Sequence, residues 1–98
     1  MKNKMGISGQ VIKEILFLVE KCGIHKLILF GSRARGDFKE RSDIDLAVSG
    51  GDILAFTLAL EEDTSTLLFF DVVNLDLPVQ PDLCESIKKE GIMLYEKV

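Results

Sequence analysis

The sequence predicts an α+β domain, a small mixed β-sheet with helices packed mainly on one face. Three observations point to that class. The periodic segments follow the order helix, strand, strand, helix, strand, helix, so strands and helices must share one core. The strand-like apolar runs are short and bounded by glycines, too short for helices of their own. Finally, 98 residues that are 47% hydrophobic and 29% charged can bury one modest core but not two, so a single domain over residues 1–98 is expected.

Each element has its own signal. Ser8 is placed to cap a helix from Gly9 to Lys21, because Val11, Ile12, Ile15, Leu16, Leu18 and Val19 recur at three- and four-residue steps. Gly23 stops it. Lys26–Phe30 lies between Gly23 and Gly31 and reads as a buried strand, followed by one helical turn near Ser32–Arg35 and a second strand over Ile44–Val48. Ser49, Gly50, Gly51 and Asp52 form a turn that starts a short buried helix over Ile53–Asp63. Thr66–Leu75, rich in Leu, Phe and Val, predicts a third strand, with Phe69 and Phe70 in the core on opposite sides of the sheet or one of them bordering a ligand pocket. Beyond Pro78 and Pro81 a last helix runs to Lys89, and Ile92–Tyr95 closes the chain as a short strand or apolar tail.

Charge and cysteine usage exclude several function classes. A net charge of −4 and a pI of about 4.9 argue against non-specific binding to nucleic acid, so no direct nucleic-acid partner is expected. Cys22 and Cys84 form no metal-ligand or disulfide pattern. The basic start, Met1–Gly6, leads into apolar residues interrupted by Lys13, Glu14, Glu20 and Lys21, which fits neither a signal peptide nor a membrane span. A cytoplasmic location is expected.

The chemistry concentrates in residues 31–45. Arg33, Arg35, Lys39 and Arg41 make this loop a positive stretch in a negative protein. Gly31 lets backbone N–H groups approach a phosphate, and Ser32 adds a hydroxyl donor at the start of a helical turn. Asp43 and Asp45 are two apart at the head of a strand and leave the same face. Two anions side by side repel unless a hard cation such as Mg2+ sits between them. Taken singly, each residue has a plainer reading: Ser32 as a helix start, Asp43 as a turn cap with Ser42, Asp71 as an edge-strand surface residue. His25 and Tyr95 read as surface or packing residues.

These residues resemble those of a minimal nucleotidyltransferase, the MNT branch of the DNA polymerase beta-like superfamily. The family pattern is Gly-Ser, ten residues, Asp-x-Asp, then a third acidic residue on a later strand. Gly31-Ser32, Arg33 to Ser42, Asp43-Ile44-Asp45 and Asp71 meet it. The resemblance implies the polymerase beta-like fold, nucleotide contacts by Gly31, Ser32, Arg33 and Arg35, and two Mg2+ ions held by Asp43, Asp45 and Asp71. It further implies AMP transfer from ATP to a protein hydroxyl, a tyrosine of a cognate HEPN ribonuclease toxin, with this chain as the antitoxin. The small size favours an acceptor supplied by a partner protein. An antitoxin acting by binding alone, through Glu61, Glu62 and Asp63, is the alternative, with a small-molecule nucleotidyltransferase third. The sequence leaves nucleotide preference and self-association, including a homo-oligomer, open.

Overall fold

The computed structural model describes residues 4–98; Met1–Asn3, where the basic start and the expected domain begin, lie outside the described residues. Helix α1 spans Gly9–Lys21, and the Val11 N–H donates to Ser8 Oγ at 3.2 Å, the expected cap. Strand β1 is Lys26–Phe30, α2 is the single turn Ser32–Arg35, and β2 is Ile44–Ser49. Helix α3 covers Ile53–Asp63, with the Ala55 N–H donating to the Asp52 side chain at 3.1 Å. Strand β3 is Phe70–Asn74, α4 is Pro81–Glu90, and β4 is Ile92–Glu96, so the closing tail is a strand.

The sheet has the order β3-β2-β1-β4 and is mixed. β1 runs antiparallel to β2 and β4, whereas β2 and β3 are parallel, a pairing that requires a crossover such as α3. The pleat divides the apolar residues between two faces. Leu27, Leu29, Ile44, Leu46 and Val48 join α1 and α3 in the main core, where Phe56 and Leu60 are fully buried. Each such side chain contributes about 1.5–3 kcal/mol by leaving water. On the opposite face, Phe30 and Ala47 pack against Ile87 of α4, with Ile28, Val73 and Leu83 around them. Two helices thus cover one face and α4 covers part of the other.

One element differs by more than a residue from its expected bounds. The predicted strand from Thr66 is a ladder only from Phe70, because its neighbour β2 begins at Ile44, opposite Phe70, and gives residues 66–69 little to pair with. Phe69 is consequently 76% exposed instead of in the core, while Phe70 packs against the main core as expected. Cys22 and Cys84 are free thiols. Among the described residues no helix is long and apolar enough to cross a membrane.

Candidate active site

The carboxylates owe their placement to register. Asp45 pairs with Phe30 on one side and with Asp71 on the other, and the parallel β2–β3 ladder sets Ile44 beside Phe70. Paired residues share a face, so Asp45 and Asp71 project together, with Asp43 two residues before Asp45 on the same side. This is the α4 face, at the end of the sheet where β1 passes into α2 and Glu90 of α4 reaches Arg35. Along β2, Ala47 is fully buried, Asp45 is half-buried and Asp43 is exposed; Asp71 is exposed as well.

This crowding has an electrostatic consequence. The Asp45 carboxyl is pushed above the usual carboxylate range by burial, then by the charges of Asp71 and Asp43, with Arg35 and Arg33 opposing weakly. A site of this kind favours a bound cation. The donor set, three carboxylates with oxygen only, suits a hard ion such as Mg2+ better than zinc. Among the described residues no group of three or more His, Cys, Asp or Glu side chains is already arranged to hold a metal ion, so the three carboxylates share a face without converging on one point.

Gly31 connects β1 to this face. Its φ of +76° lies in the region that favours glycine, and a Cβ there would collide with Asp45 Oδ2. The missing side chain therefore lets the turn and the carboxylate share one space. The Gly31 carbonyl accepts hydrogen bonds from the N–H groups of Ala34 and Arg35, both at 3.1 Å, which starts α2 immediately after Gly31. Ser32, the first residue of that turn, is half-buried beside the carboxylates' strand.

The two arginines part company. Arg33 was expected at the phosphates, yet it is 2% exposed and all five of its N–H donors are engaged within the chain. Nε and Nη2 donate to Ser42 O at 3.0 and 2.9 Å, Nη2 also to Glu40 O at 3.2 Å, and Nη1 to Met5 O and Gly6 O at 3.0 and 3.1 Å. Its guanidinium also stands 4.8 Å from the centre of the Phe38 ring. With no donor left over, Arg33 fastens the Asp43 loop to the residues before α1 instead of reaching a phosphate. Burial lowers its pKa, with Asp45 opposing. Arg35 is exposed; its Nε donates to Asp37 at 3.2 Å and its Nη1 to Glu90 of α4 at 3.0 Å. Its remaining N–H groups stay available at the rim.

Phe69, read from the sequence as a core residue unless it bordered a ligand pocket, is exposed two residues before Asp71. The usable signal was the two-residue spacing from Phe69 to Asp71, which puts ring and carboxylate on one face.

The chain is similar in sequence and fold to known proteins. The family model described as Polymerase beta, Nucleotidyltransferase matches residues 10–98. A Methanocaldococcus jannaschii protein with the provisional name protein adenylyltransferase is 46% identical over 50 residues, 51% of this chain and 48% of that protein. The match thus spans about half the length of that curated relative. A solved structure provisionally named a minimal nucleotidyltransferase is 32% identical with a TM-score of 0.63, covering 83% of this chain and 86% of that one. A chain of a toxin–antitoxin crystallised with AMP-PNP is 26% identical with a TM-score of 0.64, covering 88% and 73%.

Proposed function

The chain belongs to the polymerase beta nucleotidyltransferase family, and from that membership we propose that it transfers AMP from ATP to a protein hydroxyl in a Mg2+-dependent reaction. We further propose that the acceptor is a tyrosine of a HEPN ribonuclease toxin and that the chain acts as its antitoxin. The observation that carries this reading is the in-register pair Asp45 and Asp71 with Asp43 on the same face, one turn from Gly31. The provisional name of the archaeal relative supports protein adenylylation, and the toxin–antitoxin neighbour with AMP-PNP supports both the adenine nucleotide and the partner.

The residues divide the work. Asp43, Asp45 and Asp71 would hold two Mg2+ ions, which supply charge neutralisation at the phosphates and acidify the acceptor hydroxyl. Gly31 and Ser32 hold the phosphate tail through backbone N–H and hydroxyl donors, and Arg35 adds a cation at the rim. Asp71, exposed on the outermost strand, takes the proton from the acceptor hydroxyl. The hydroxyl oxygen bonds to the α-phosphorus as pyrophosphate leaves. Arg33 positions the loop that carries Asp43 and touches no substrate.

Incubation of the protein and its toxin with Mg2+ and α-labelled ATP should label the toxin, and the Asp43→Asn, Asp45→Asn variant should not. Equal labelling by both would refute the assignment. A second reading, neutralisation by binding alone, draws on Glu61, Glu62 and Asp63, all exposed at the end of α3. It predicts that the folded double variant still protects cells from the toxin.

A further inference from the structure

Arg35 is tied to a residue 55 positions away in the chain, Glu90, the last residue of α4. Its Nη1 donates to Glu90 Oε2 at 3.0 Å and its Nε to Asp37 Oδ2 at 3.2 Å, which leaves Nη2 without a hydrogen-bond partner among the described residues. The guanidinium lies close enough to the carboxylates to act on Asp45: burial, Asp71 and Asp43 push that carboxyl up, and the Arg35 charge draws it down. Packing delivers Glu90 to this place. Ile87 is buried against Phe30, the residue before the Gly31–Ser32 turn, and Glu90 follows Ile87 by three positions, on the same side of the helix. Gly91 then presses the helix end onto β1, since a Cβ there would collide with the Ile87 carbonyl and the Ile28 side chain. The Glu90 side chain is consequently only 32% exposed, whereas its neighbours Lys88 and Lys89 are open to water.

An acid in the last turn of a helix opposes the helix dipole, which Lys88 and Lys89 suit and Glu90 does not. What compensates Glu90 is the Arg35 guanidinium. A partly exposed pair of this kind adds little to stability, so its effect is on the direction of the side chain. We propose that Glu90 is a positioning residue for the nucleotide's phosphate tail, holding Arg35 so that Nη2 meets the triphosphate seated at Gly31 and Ser32. The proposal rests on the nucleotidyltransferase reading and adds to it a residue outside the 31–45 motif. A free arginine loses rotamer freedom when it grips a ligand, and anchoring it beforehand removes much of that cost. Asp37 lies in the same loop as Arg35 and moves with it, whereas Glu90 belongs to a packed helix and supplies the fixed point. Repulsion between Glu90 and the nucleotide is the smaller effect, because the Glu90 charge is matched by Arg35 at contact distance and the phosphates meet a different nitrogen.

The test is a double-mutant cycle on the full chain, read by calorimetric titration with Mg2+ and α,β-methylene ATP, which binds without being cleaved at the α-phosphate. Glu90→Ala should raise Kd about fivefold, the share of arginine rotamer freedom that one anchor holds, and Arg35→Ala about tenfold or more. The double variant should match Arg35→Ala within about twofold, because Glu90 acts only through Arg35. In toxin labelling, Glu90→Ala should raise the KM for ATP with kcat within about twofold of wild type. Urea titration of each variant confirms that the protein measured is folded. A Kd for Glu90→Ala within about twofold of wild type, or tighter, overturns the proposal. So does a loss of the same size in the Arg35→Ala background, which would make Glu90 a structural residue only, and so does a fall in kcat at constant KM. An unchanged Kd in Arg35→Ala overturns it too, by taking Arg35 off the phosphates. Wild type that binds no nucleotide overturns the nucleotidyltransferase reading itself, a distinguishable result.

Discussion

Replacing Arg33 should destabilise the domain without a matching loss of nucleotide affinity in the protein that stays folded. The guanidinium makes five hydrogen bonds to four backbone carbonyls, those of Met5, Gly6, Glu40 and Ser42, at 2.9 to 3.2 Å. A bond with one charged partner is worth about 1.5–3 kcal/mol, but bonds that share one side chain are not additive, and freed surface carbonyls regain water. For Arg33→Met we therefore expect a loss of about 3–5 kcal/mol, the range for breaking a buried charged network. A domain of this size holds roughly 5–15 kcal/mol in total. Arg33→Lys keeps the charge but offers three donors for four carbonyls, and should cost about 2 kcal/mol. Urea denaturation followed by circular dichroism reads both, and with a slope of about 1–1.5 kcal/mol per molar the Met variant's midpoint should fall by roughly 2 M or more. A Met variant within about 1 kcal/mol of wild type would refute the clamp. So would a tenfold loss of Mg-ATP affinity at unchanged stability, which would return Arg33 to the phosphates.

Other perturbations bear on the site directly. Gly31→Ala should reduce transfer a hundredfold or more in a labelling assay, because its Cβ displaces the Asp45 carboxylate, and should cost about 1 kcal/mol or more of stability from the positive φ. Asp45 carries a raised pKa, so its stabilising contribution is fully present below the unfolded value of about 3.9 and is lost as pH rises through the folded value. At pH 7 without metal, Asp45→Asn or Asp71→Asn should accordingly raise Tm by about 2–4 °C in calorimetry while abolishing transfer. In metal-free protein the Asp45 transition, read from stability against pH, should move down toward the ordinary Asp range in Asp71→Asn, since that variant removes the second-largest cause of the shift. Glu90→Gln cuts one exposed ion pair of Arg35 and should alter stability by less than about 1 kcal/mol, read by the same urea titration.

Much of this was legible in the sequence, for reasons that differ by element. The α1 and α3 boundaries were readable because Ser8 and Asp52 cap through their own side chains, a local event. The Asp43–Asp45 pair was readable because a strand's two-residue alternation needs no partner to define it. Arg33 was not, since a motif cannot say where four carbonyls will gather from residues 5 to 42. Phe69 failed for the complementary reason: an aromatic in an apolar run looks like core until the starting point of the neighbouring strand is known. Asp71 lay between these cases, its role implied by resemblance and its proximity fixed only by the β2–β3 register.

That register makes the site intolerant of length changes in the chain between β2 and β3. Deleting or inserting one residue among positions 64–69 would leave the hydrophobic strand free to pair one step out of phase, and every side chain on it would then change sides. Val72 would be turned toward the Asp45 carboxyl and the acidic group of residue 71 toward hydrocarbon. A single indel in this crossover would therefore separate the residue-71 carboxyl from that of Asp45 and lay it against apolar side chains, a change felt in stability as well as in the site.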